Sequence, residues 1–182
     1  MKRAFFIFFL FVSFSSVVVS QELLWNGHYR STIGSTTIIR DAGGRELFRC
    51  GSNVALLING HYMSTVGSTT IIRDAGGREL FRCGSNVALL PNGHYRSIVG
   101  STTIIRDAGG RELFRCGSNV ALLPNGHYRS IVGSTTIIRN TGGRELFRCG
   151  SNVDLLPNGH YRSIVGSTTI IRDADGRELF RN

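Results

Sequence analysis

After residue 20 the sequence has no lysine, one tryptophan, three prolines and no second long apolar run. Every positive charge there is therefore an arginine. With no stop-transfer pattern behind it, the opening run MKRAFFIFFLFVSFSSVVVS is predicted to be a signal peptide rather than an anchor. Lys2 and Arg3 precede its Phe-rich part, and Val18 and Ser20 are small residues at the cleavage-site spacing. Cleavage would leave residues 21–182 as a single repeat domain, secreted or held in the periplasm or cell envelope, with no transmembrane segment. Its 19 arginines against 12 acidic residues give about +7, a balance that suits anionic partners such as acidic glycans or cell-envelope polymers. Nucleic acid is not expected, because no nucleic-acid-binding motif is present.

The chain also lacks variety. His28, His61, His94, His127 and His160 recur every 33 residues, as do Tyr29, Tyr62, Tyr95, Tyr128 and Tyr161, so five copies fill the domain. Such self-similarity governs the fold and has to be read before any local pattern. Each copy divides into two related halves, GSNVALLPNGHYRSIVG and GSTTIIRDAGGRELFRCG, and each half reads as a β-hairpin. In the first half, Asn92-Gly93 is predicted to form a two-residue type I′ turn, which sets Leu90 opposite Tyr95 and Val87 opposite Ile98. In the second, charge favours a three-residue loop over Ala108-Gly109-Gly110. That loop pairs Asp107 with Arg111, Arg106 with Glu112, Ile105 with Leu113 and Ile104 with Phe114. The loop needs glycine at its last position, occupied by Gly44, Gly77, Gly110, Gly143 and Gly176, whereas Asp175 replaces the preceding glycine in the fifth copy.

Lone hairpins are marginal in water and must bury apolar faces on one another. The expected fold is all-β, with five repeats of two hairpins closed into a propeller-like or flower-like ring; the alternative is an open solenoid. Closure would lay the ELLW strand beside the RELFR strand.

The half-unit STTIIRDAGGRELFRCG resembles the hairpin unit of bacterial beta-flower proteins, which implies a secreted, hairpin-repeat architecture. IIRDAGGREL is more weakly similar to the tyrosine-aspartate repeats of large secreted shell proteins. The chain departs from the beta-flower pattern in its cysteines, its many arginines and its alternating unit length.

Candidate sites follow from the repeat. Tyr29, Tyr62, Tyr95, Tyr128 and Tyr161, with Arg30, Arg96, Arg129 and Arg162 and the neighbouring histidines, present aromatic rings and guanidinium forks suited to glycans or anions in several copies. Packing between hairpins accounts for the tyrosines equally well. Cys50, Cys83, Cys116 and Cys149 share one repeat position, where the fifth copy has Asn182. They read either as two disulfides or as small buried apolar residues opposite a threonine. No metal site is expected, since each histidine stands alone after its turn glycine, and no cofactor is implied. Serines and threonines identical in every copy have no distinguished His and Asp partner, so catalysis is not expected. The expected function is a non-catalytic structural or multivalent binding module. A carbohydrate-binding lectin is the alternative, and an ice-binding solenoid using the threonines of GSTTI ranks below it.

Overall fold

The computed structural model describes residues 20–182 except 52, 85, 118 and 151; the signal peptide expected over 1–20 lies outside the described residues apart from Ser20. Among the described residues all regular structure is strand, so no helix is present that could cross a membrane. Twenty strands form five four-stranded antiparallel sheets, each taken from one continuous stretch of chain and ordered as in the sequence. We call each sheet a blade. The third runs through Val87–Leu89, Tyr95–Val99, Thr102–Arg106 and Glu112–Cys116. The predicted half-repeats are thus the two halves of one blade, and the architecture is an all-β, propeller-like array with a 33-residue period.

Three turns build each blade. The central one is a two-residue loop, Gly100-Ser101, closed by pairing of Val99 with Thr102. Only glycines have positive φ among the described residues, and Gly100 stands at +60°, so this is a type II′ turn with glycine in its first central position. The other two turns share one frame. Leu90 N donates to His94 O and Gly93 N to Leu90 O, as Asp107 N donates to Arg111 O and Gly110 N to Asp107 O. Each is a type I turn closed by a glycine in the left-handed region.

The predicted Asn92-Gly93 type I′ turn is therefore corrected to a three-residue loop over Pro91-Asn92-Gly93. Proline fixes a φ suited to the first central position of a type I turn, and Asn92 keeps a negative φ. Leu90 lies opposite His94, Tyr95 opposite Leu89, and Val87 opposite Ser97. In the second hairpin the Asp107–Arg111 and Arg106–Glu112 pairs form as predicted. A bulge between Ile105 and Arg106 then shifts the register, placing Ile105 opposite Phe114 and Ile104 opposite Arg115.

The core lies between blades. Ile105 and the half-buried Phe114 and Cys116 of the third blade pack on Val120, Leu122 and Tyr128 of the fourth, and equivalent clusters join the other consecutive blades. The inter-blade geometry hardly varies. Four Phe-Tyr pairs meet edge to face with ring centroids 5.3 Å apart, and four guanidinium groups, on Arg73, Arg106, Arg139 and Arg172, sit 4.7 Å above the phenylalanine of the preceding blade. Edge-to-face pairs add about 0.5–1.5 kcal/mol beyond their burial, so repetition makes these joints a principal source of cohesion.

The expected closing contact is not detected among the described residues. The ELLW and RELFR strands belong to different sheets, each paired only with its sequence neighbour. Leu23 of the first blade and Leu179 and Phe180 of the fifth stay exposed.

Candidate functional site

The tyrosines occupy the joints rather than a binding surface. Tyr62, Tyr95, Tyr128 and Tyr161 are 0–1% exposed, which removes their rings from reach of a sugar; Tyr29 alone is half-buried. Each buried ring inserts between blades and is clasped by the turn of the blade before it. Asn92 Nδ2 donates to Tyr128 Oη at 2.8 Å, and His94 Nδ1 lies 2.6 Å from the same oxygen. Asn92 Oδ1 meanwhile accepts from His94 N at 3.2 Å. The set is satisfied when the neutral imidazole carries its proton on Nε2 and accepts Oη–H at Nδ1. Burial raises the pKa of the four tyrosines and lowers that of His61, His94 and His127, the nearby Asp74, Asp107 and Asp175 opposing the shift in the histidines. Sequence reasoning singled out the histidines but missed this clasp. The Asn-Gly-His-Tyr run was its one signal.

The cysteines follow the apolar reading. Cys116 pairs with Thr103 across the sheet and packs, half-buried, in the core between the third and fourth blades, and the other three do the same in separate cores. Of the GSTTI threonines, Thr37, Thr70, Thr103 and Thr136 are buried, and Thr36, Thr69, Thr102, Thr135 and Thr168 are only half-exposed. Gly110 has φ +86°, and a Cβ there would lie 2.9 Å from Leu80 Cβ of the preceding blade, so this glycine serves both turn and joint.

What the blades expose is a niche beside the linkers. In the fourth blade Asn119, Ala121, Arg129 and Ile131 line a recess of about 500 Å³, next to an exposed hairpin tip at Val132. The same positions in the second blade, Asn53, Ala55, Met63 and Thr65, line one of about 460 Å³. The arginines of the niche reach forward: Arg30, Arg96 and Arg129 donate from Nη1 to the carbonyls of Val54, Val120 and Val153 in the next blade. Their charges are treated differently. Arg30 ion-pairs with Glu22, and Arg162 with Asp154 at 2.7 Å. Arg96 and Arg129 form no ion pair among the described residues, which leaves two consecutive blades with an uncompensated guanidinium, the second of them lining the recess of about 500 Å³.

A second set of charges lies on a solvated edge. On the fourth strand of each blade Arg49, Arg82, Arg115, Arg148 and Arg181 hold Glu46, Glu79, Glu112, Glu145 and Glu178, whose pKa values fall because their carboxylates accept these guanidinium hydrogen bonds. A charged edge strand discourages pairing with another sheet. No three His, Cys, Asp or Glu side chains gather in a metal-binding group among the described residues.

The fold defines an all-β, repeat protein of the β-propeller-like class. No protein-family model and no curated protein matches the chain. Among solved structures it is similar to BamB from Moraxella catarrhalis, at 9% identity over 86% of this chain and 58% of that one, with a TM-score of 0.34. Hsv2 of Kluyveromyces lactis, in a form with loop 6CD replaced by a Gly-Ser linker, is similar at 10% identity over 85% and 62%, with a TM-score of 0.41. The chain thus spans about three-fifths of the length of these two proteins.

Proposed function

We propose that the protein is a secreted or envelope-associated, non-catalytic module that binds an acidic glycan or cell-envelope polymer through niches repeated along its blades. The observation that supports this is the pair Arg96 and Arg129 in consecutive blades, each half-exposed beside an exposed Ile-Val tip and without a carboxylate partner among the described residues, with a recess of about 500 Å³ at Arg129. A guanidinium fork recognises carboxylate or sulfate, and an apolar tip beside it accepts the face of a sugar ring. Adjacent weak sites gain avidity on a polymer whose spacing matches theirs.

The test is binding of sulfated, uronate-containing and neutral oligosaccharides to the wild type and to Arg96→Ala with Arg129→Ala. Binding of acidic chains alone, lost in the double variant and kept in Arg115→Ala, is expected. Equal binding by the double variant, or no acidic preference, would overturn the reading.

A further inference from the structure

The inter-blade joint is formed four times, yet five blades carry five copies of each of its halves. The fifth blade carries the forward-facing half uncovered. Leu179 and Phe180 are 55% and 52% exposed, whereas the equivalent Phe81, Phe114 and Phe147 are buried or half-buried under the next blade. Its clasp has no tyrosine to hold, and Asn158 Nδ2 lies instead 3.2 Å from His160 Nδ1. The first blade carries the backward-facing half. Tyr29 is only half-buried, and a Cβ on Gly44 would meet nothing within 4 Å, where Gly77, Gly110, Gly143 and Gly176 abut a leucine.

We propose that these two faces join a second copy of this chain head to tail, by the same joint that links the blades within one chain. In that joint Asn158 and His160 of one copy clasp the Tyr29 hydroxyl of the other. The Arg40 guanidinium covers the Phe180 ring, and Gly44 admits Leu179, as their counterparts do within the chain. A second observation supports the same occupant. Inside the chain a half-buried cysteine of one blade packs in the same core as a valine of the next, as Cys116 does with Val120. At the two uncovered faces both members change to amides, Asn182 in place of the cysteine and Gln21 in place of the valine. The paired change keeps the two faces chemically matched to each other.

Closure within one chain is not seen among the described residues. The four joints share one geometry, with ring centroids at 5.3 Å and guanidinium groups at 4.7 Å, and Leu179 and Phe180 at the end of the array stay exposed. A joint between unlike faces is heterologous, so it gives a ring of copies if the rotation closes and a filament if it does not.

The test uses the protein expressed from its full coding sequence and purified, with molar mass measured by sedimentation over a concentration series. The wild type is expected to pass from one chain mass to two or more as concentration rises. Phe180→Asp blocks one face and Tyr29→Ala the other, so each variant alone should remain a monomer with unchanged circular dichroism. Mixed, they should form a one-to-one dimer and nothing larger, because one intact face remains on each. A wild type that stays monomeric at every concentration, as closure within one chain or blockage of either face requires, would overturn the proposal. So would a mixture that fails to associate, as would a variant that self-associates like the wild type.

Discussion

The hydroxyl of Tyr128 lies 2.6 Å from Nδ1 of His94, thirty-four residues earlier, and the two rings stack with centroids 6.1 Å apart. The contact ties the turn of one blade to the core of the next. Replacing Tyr128 with Phe leaves the ring's edge-to-face packing intact but strips Asn92 Nδ2 and His94 Nδ1 of their shared partner. Both groups are only part-buried, so water recovers some of the loss, and a cost of about 1 kcal/mol is expected. Denaturant unfolding measures it; a cost near zero would show that the clasp contributes only geometry.

The same clasp makes stability fall on mild acidification. His61, His94 and His127 have folded pKa values below the ordinary imidazole value of 6.5, burial being the main cause. A base whose folded pKa is depressed stabilises the fold above the unfolded pKa, and that contribution is lost as pH falls from about 6.5 toward the lowered value. The glutamates of the outer strand, held below their ordinary 4.5 by Arg49, Arg82, Arg115, Arg148 and Arg181, lose their contribution only in a later, more acidic step. Thermal unfolding between pH 7.5 and 5 should show the first step, and replacing the three histidines with glutamine should flatten it. A Tm that is flat across that window in the wild type would contradict the depressed values.

The turn glycines separate two costs that one substitution elsewhere would merge. Gly44 and Gly110 have nearly the same φ, +84° and +86°, but a Cβ on Gly44 meets nothing, whereas one on Gly110 meets Leu80 at 2.9 Å. Gly44→Ala should therefore cost about 1 kcal/mol for the left-handed backbone alone, and Gly110→Ala clearly more. Gly109→Asp should be nearly neutral, since Gly109 has no positive φ and the chain places Asp175 at that position itself. Equal losses at Gly44 and Gly110 would mean that Leu80 yields without cost.

These residues also show how far the sequence could be read. The repeat, the hairpins and the Asp107–Arg111 loop are legible because turn chemistry and charge pairing are local. Asn-Gly suits a primed turn, so the sequence favours a loop one residue shorter than the one formed; the discriminating signal is Pro91, which favours the first central position of a type I turn. The bulge at Ile105/Arg106 leaves no compositional mark, so the inner register shifted unseen. Tyr95 and Arg96 stand next to each other in the sequence, yet alternation along a strand sends one into the joint and leaves the other half-exposed, reaching the Val120 carbonyl of the next blade. A face that packs on another blade and a face that meets solvent carry the same aromatic-Arg signature until the blades are assembled.

Export is tested by the processed N-terminus. The basic, apolar and small-residue zones of the first twenty residues predict that secreted protein begins near Gln21. Mass spectrometry of the extracellular or periplasmic fraction should find that terminus; soluble exported protein that retains Met1 would refute it.

Removing one whole repeat asks whether the blades depend on their neighbours alone. Deleting residues 87–119 joins Asn86 to Val120, reproducing the native Asn119–Val120 linkage, and takes out one 33-residue period. Each remaining blade then still packs on a neighbour bearing the same Phe, Leu and turn residues. In an array coupled only through adjacent joints, the loss is one blade and one joint out of four, and the rotation between the surviving blades need not change. The four-repeat protein, compared with the five-repeat protein at a concentration where both are monomeric, should unfold cooperatively at a modestly lower denaturant midpoint. Its m-value should fall in proportion to the surface removed. Loss of cooperative unfolding would instead mean that the five blades stand only as a closed set, with contacts between the first and fifth that the four joints do not supply.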